Sequence, residues 1–186
     1  MIRRLASGLL VLLLAVAAAV PAAAASLADF FGSYVGVAEV RDAVDRVVEE
    51  RHMDIEIQPF RRGGFQIRWV NVTLVDGRRD VPGVQRRVAE VAFEPGERTD
   101  FFVEAQVTTP FAQREEITPM SGDPVRWAKL DADGLHVFSF VVLSNGRYEL
   151  QTYTRRLTDA GLDLFFERVV DGDTLRRIEG RTVRAD

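Results

Sequence analysis

The chain has 186 residues, 47% hydrophobic and 28% charged, with 24 basic against 28 acidic side chains and a formal charge of −4. That length suits one domain with a sizeable core, and the composition excludes wholesale disorder. The mild acidity argues against nucleic acid or an anionic membrane as the main partner, and the lack of cysteine excludes disulfides and thiol chemistry.

Residues 1–25 read as a signal peptide. Arg3 and Arg4 form a basic start, Leu9 to Val20 an apolar run, and Ala22 to Ala25 after Pro21 a small-residue cleavage pattern. An uncleaved anchor is the alternative, because the apolar run approaches spanning length. Removal leaves residues 26–186 as one domain, two units more acidic, not membrane-spanning, and periplasmic or secreted.

Ser26 to Phe31 suits a short helical turn, with Ser26 as N-cap and Asp29 placed like the acid of a capping box. Gly32 to Val40 reads as a first strand, whose glycines permit curvature or close backbone approach. From Val47 to Gln58, Val47, Met53, Ile55 and Ile57 share one face. Glu50, His52, Asp54, Glu56 and Gln58 share the other. Strands follow at Phe65 to Val75, Val84 to Phe93 and Asp100 to Thr108. Residues 109–124, with three prolines and a glycine, form one long irregular connection.

The central signal is Gly134 to Leu157, two apolar and aromatic runs around Asn145-Gly146, a pair suited to a two-residue hairpin turn. Val125 to Leu130 precedes it, and Leu162 to Val170 and Thr174 to Val183 close the chain as a last hairpin. These nine to ten strands have no helices between them, so the sheet is an antiparallel meander. Closing it into a barrel removes the exposed edges. The expected fold is all-β, an up-and-down barrel, with an open sandwich as the alternative.

A short turn followed by Phe31-Gly32-Ser33-Tyr34 at the head of a meander resembles the entry of lipocalins and fatty-acid-binding proteins, the calycin group. Those proteins carry Gly-x-Trp there, and Tyr34 stands in this chain where the Trp would be. The resemblance implies an Arg near the last strand packed on that ring, with Arg176, Arg177 and Arg181 as counterparts, and a barrel interior that takes a small, largely apolar molecule. No Thr-Asp-x-Tyr motif accompanies it.

For catalysis, the chain offers no Gly-x-Ser-x-Gly turn and only His52 and His136 as imidazole bases, so no catalytic residue is assigned. Ser121 reads as a turn residue of the long connection. His52, Asp54 and Glu56 project from one strand face, but such a row is the usual solvated edge, and no metal or other cofactor is assigned. Asp131 to Gly134 reads as a hairpin turn. His136 lies among Phe138 and Phe140, which suits a hydrogen-bonded core histidine rather than a ligand.

A pocket is the better candidate. Trp69 and Trp127 each follow an arginine, and Tyr153 and Arg155 share a strand face, so these four are the candidate ligand-binding residues. Arg155 and Tyr153 are similar to the pair that holds a ligand carboxylate in fatty-acid-binding proteins. Arg86-Arg87, Arg155-Arg156 and Arg176-Arg177 each put one member on each face of a strand. Three inward arginines are costly unless they meet water, carboxylates or an anionic ligand. Both faces of Leu135 to Leu143 are mainly apolar, so the outer one needs a cover: the N-terminal turn, the 109–124 loop, or a second copy in a homodimer. The sequence therefore suggests an exported, non-enzymatic binder of an amphipathic ligand, or alternatively an envelope interaction module with a filled core.

Overall fold

A computed structural model describes residues 25–106 and 117–185. The signal-peptide expectation falls outside these residues, save for Ala25. Ten antiparallel strands form one closed barrel, each paired with its neighbour in sequence, and the last pairs with the first. The strands are β1 (Gly32–Asp42), β2 (Val47–Phe60), β3 (Gly64–Thr73), β4 (Gln85–Pro95) and β5 (Phe101–Glu104). They continue as β6 (Val125–Asp131), β7 (Gly134–Val142), β8 (Tyr148–Leu157), β9 (Gly161–Val170) and β10 (Asp173–Ala185). β5 is shorter than expected, ending at Glu104 rather than reaching Thr108, which lies outside the described residues.

Alternation sorts the side chains. On β1, Tyr34, Ala38 and Val40 are buried, and Val37 between them is 58% exposed. Gly36 lies on the inward side, where a Cβ would come 2.0 Å from the Arg181 carbonyl oxygen of β10. Only glycine allows the two strands that close the barrel to approach so tightly.

Turn chemistry sets the register. Asp171 and Gly172 both have positive φ, as do Asp76 and Gly77, which suits tight two-residue turns. Asn145-Gly146 does not behave as expected. Only Gly146 is left-handed, and the hydrogen bond from Leu143 N–H to the Arg147 carbonyl encloses a three-residue loop. The Asn145 side chain instead accepts from the Arg147 N–H at 3.1 Å. The hairpin forms as anticipated, through a different turn.

One end of the barrel is sealed. The 3₁₀ turn Leu27–Phe30 drives Phe30 into a core with Tyr34, Ile57, Phe65, Phe93 and Leu135. The Asp29 carboxylate accepts from Ser26 N–H at 2.8 Å, tying off the first turn as the sequence suggested. Phe65 stacks on Phe93 with centroids 5.1 Å apart, and Phe102 meets Phe65 edge-on at the same distance. The N-terminal turn therefore plugs the barrel, packing Phe30 in one core with Leu135 and Val137 of β7. The 3₁₀ turn Pro119–Ser121, a described part of the long connection, lies against β7. The opposite end receives the β1–β2, β3–β4, β5–β6, β7–β8 and β9–β10 connections and forms the mouth.

Candidate functional site

The interior is layered, and the layering follows from sequence. Apolar inward residues dominate near the plug, and polar ones accumulate towards the mouth. Along β8 the inward series runs Glu149, Gln151, Tyr153, Arg155 from mouth to floor, because residues two apart share a face. A cavity of about 360 Å³ occupies the mouthward half. Its apolar wall includes Met53, Ile55, Trp69, Leu164 and Phe166.

Trp69, Tyr153 and Phe166 form an aromatic layer across this space. The Trp69 and Tyr153 rings are 5.8 Å apart, and Tyr153 and Phe166 are 4.7 Å apart. Burial pushes the Tyr153 phenol up, and its O–H donates to Gln151 at 2.7 Å. Gln151 Nε2 donates to Glu149 at 2.5 Å, and Arg168 holds the second Glu149 oxygen at 2.6 Å. The phenol, the amide, the carboxylate and the guanidinium thus form one continuous polar line.

Arg155 stands outside that line. It is only 4% exposed, at the junction of apolar core and cavity, paired in register with Leu135 and Leu164. Its Nε and Nη1 are buried and have no hydrogen-bond partner. Its guanidinium lies 6.0 Å from the Tyr153 ring centroid. Burial pulls its pKa down to about 10, so it still carries its charge at neutral pH. A buried cation with two unmet donors needs an acceptor, and the described residues supply none.

The wider electrostatics share that sign. Arg51, Arg87, Arg168 and Arg176 also line the cavity, against a single carboxylate among the described residues, Glu149. Arg51 is engaged by Glu49 and Arg168 by Glu149. A protein that is acidic overall therefore has a basic interior. Each arginine pair splits as expected: Arg87, Arg155 and Arg176 line the cavity, whereas Arg156 and Arg177 face outward to Asp133 and Glu167.

Of the four candidate residues, Trp69, Tyr153 and Arg155 come together at the cavity. Trp127 does not. Ala128 takes the inward position, and Trp127 lies on the outer face, stacked on Phe138 at 5.2 Å. His136 is outside as well, bonded to Thr154 at 2.9 Å and Asp131 at 3.0 Å. His52 meets Asp54 at 3.3 Å on the outer face of β2, but Glu56 is engaged by Gln58, so the row does not gather. Sequence reasoning missed Asn71, two residues from Trp69 on the same face. Its Oδ1 is buried and unpartnered.

The ring at the plug is also held differently from expectation. Arg184 lies over Tyr34 at 5.1 Å and donates to its hydroxyl at 3.0 Å. Arg176, Arg177 and Arg181, the expected counterparts, lie elsewhere. Register explains the difference, since Tyr34 pairs with Arg184 across the β1–β10 seam.

Glu149 makes the polar line pH-sensitive. Arg168 first, and then Gln151, hold its carboxyl below the usual range against the cost of burial. A depressed carboxyl stabilises the fold above its unfolded pKa, and that contribution is lost as pH falls through the folded value. The parent should lose urea resistance as pH drops through and below the ordinary carboxylate range. Glu149→Gln should be about 1–3 kcal/mol less stable at neutral pH and lose less on acidification. Urea midpoints measured across that range test this, and parallel profiles for the two proteins would refute it.

No family model matches the chain, and no curated protein matches it. Among solved structures, it resembles a protein of unknown function from the DUF3598 family of Nostoc punctiforme, with 11% identity and a TM-score of 0.51. The match covers 90% of this chain but 53% of the other, so this chain spans about half the length of that relative. The likeness is one of fold, a closed antiparallel barrel.

Proposed function

We propose that the protein is an exported, calycin-like carrier that binds a small amphipathic anion in its barrel without transforming it. Arg155 carries this reading: a buried guanidinium with two free donors at the base of a cavity that Met53, Ile55, Trp69 and Phe166 also line. An acid's head would meet those donors, and its apolar body would cover Trp69 and Phe166. The plug under Tyr34, clasped by Arg184, supports the calycin likeness.

Decanoic acid, decanol and decylamine, titrated against Trp69 fluorescence in a Trp127→Phe background, test the sign of the ligand. The acid should bind best, and Arg155→Met should weaken it by about ten- to a hundredfold. Equal affinity for acid and amine would overturn the reading. Native mass spectrometry of protein from its own compartment would then show any resident cargo.

A second reading, an interaction module or homodimer, draws on the outer row of Trp127, Phe138, Phe140 and Tyr148. Phe140 and Tyr148 stack at 6.0 Å. Concentration-dependent sedimentation would favour it.

A further inference from the structure

Besides Arg155, one further cavity-lining group is orphaned among the described residues, and it is of the opposite kind. Asn71 Oδ1 is a buried acceptor with no donor, whereas Arg155 Nε and Nη1 are buried donors with no acceptor. The neighbouring arginines do not donate to Asn71. Arg51 is engaged by Glu49, and Arg87, opposite Asn71 in the β3–β4 register, is an exposed side chain.

The two orphans lie on opposite sides of the aromatic layer. Trp69 and Tyr153 are in contact, so they mark one level. β3 runs from the plug to the mouth, which places Asn71 two residues above Trp69. β8 runs the other way, which places Arg155 two residues below Tyr153. Four residues of strand separate the levels, roughly 13 Å.

Resting on the reading of the cavity as an anion site, we propose that its ligand is a bifunctional acid, with a hydrogen-bond donor such as a hydroxyl or N–H held by Asn71 and the anionic group held by Arg155. The body between them passes the Trp69–Tyr153–Phe166 layer and must be apolar and slender. A site that buries an acceptor discriminates against a ligand lacking the donor, because that acceptor is then left desolvated and unpaired.

The experiment compares ω-hydroxydecanoic acid with decanoic acid by calorimetry, on the parent, Asn71→Leu and Arg155→Met. The parent should prefer the hydroxy acid by about tenfold. Asn71→Leu should erase the preference while retaining the plain acid, and Arg155→Met should weaken both. If the parent binds both acids equally and both depend on Arg155, the second contact is refuted and the anion site stands. If Arg155→Met leaves both affinities unchanged, the anion site and this inference both fall. The comparison on the parent needs no variant, so it holds even if Asn71→Leu fails to fold.

Discussion

Arg155→Met should melt at a higher temperature than the parent while losing its hold on carboxylates. The two effects have one origin. The guanidinium is almost wholly buried, charged, and without a partner among the described residues for two of its nitrogens. Methionine fills a similar volume, carries no charge and packs well against Leu135 and Leu164. Replacing buried charge with apolar volume is often neutral or stabilising by about 1–4 kcal/mol. The gain should be at its upper end here, because no counter-ion is lost. Differential scanning calorimetry of the ligand-free proteins measures it. A lower melting temperature would mean that Arg155 has a structural partner, and would remove the case for an anion site. The sign also makes a pH statement. The folded value lies below the ordinary arginine range, so the folded state binds fewer protons in the alkaline interval between them. Stability should therefore rise with pH through that interval on this group's account, and Arg155→Met should lack that rise.

The second large effect is expected at the plug. Tyr34 is fully buried, its hydroxyl donates to the Phe30 carbonyl at 2.8 Å and accepts from Arg184. Arg184 also donates to the carbonyls of Phe31 at 2.7 Å and Asp29 at 3.0 Å. One phenol thus joins the N-terminal turn, β1 and β10. Tyr34→Ala should cost about 3–5 kcal/mol, as large aromatic truncations in cores do. Tyr34→Phe keeps the ring but leaves the Phe30 carbonyl without its donor, and should cost about 1–3 kcal/mol. Urea midpoints with unchanged slopes would confirm both. If Tyr34→Phe matches the parent, the hydroxyl does not hold the plug.

All ten strands were legible because alternation and turn residues agree along most of the chain. What the sequence could not state was parity in space. Arg126 and Trp127 are neighbours, and a large aromatic is the natural choice for the inward one. Yet Ala128 and Phe102 fill the core at that level, so parity sends Trp127 outward onto Phe138. Arg184 was hidden for a related reason. Four arginines crowd the last strand, and only the pairing of β1 with β10 singles out the one opposite Tyr34. Tyr153 and Arg155 could be read as a pair because they are two apart on one strand. Asn71 gave the same signal beside Trp69, a polar residue in phase with an inward aromatic, but a lone amide attracts no notice without a cavity.

The seam between β1 and β10 has a kinetic consequence. The other nine pairings join strands adjacent in sequence, so they can zip up locally, each at a small cost in loop entropy. The seam instead joins Ser33 to Ala185, and Gly36 must come against Arg181 and Thr182 as it closes. It is the strand pairing with the longest sequence separation, and such contacts slow folding. Until it forms, the nascent sheet is an open ribbon with two unpaired edges, each able to recruit the edge of another copy. Aggregation should therefore compete with closure during refolding. Its yield should depend steeply on protein concentration, even where the finished barrel is indifferent to it.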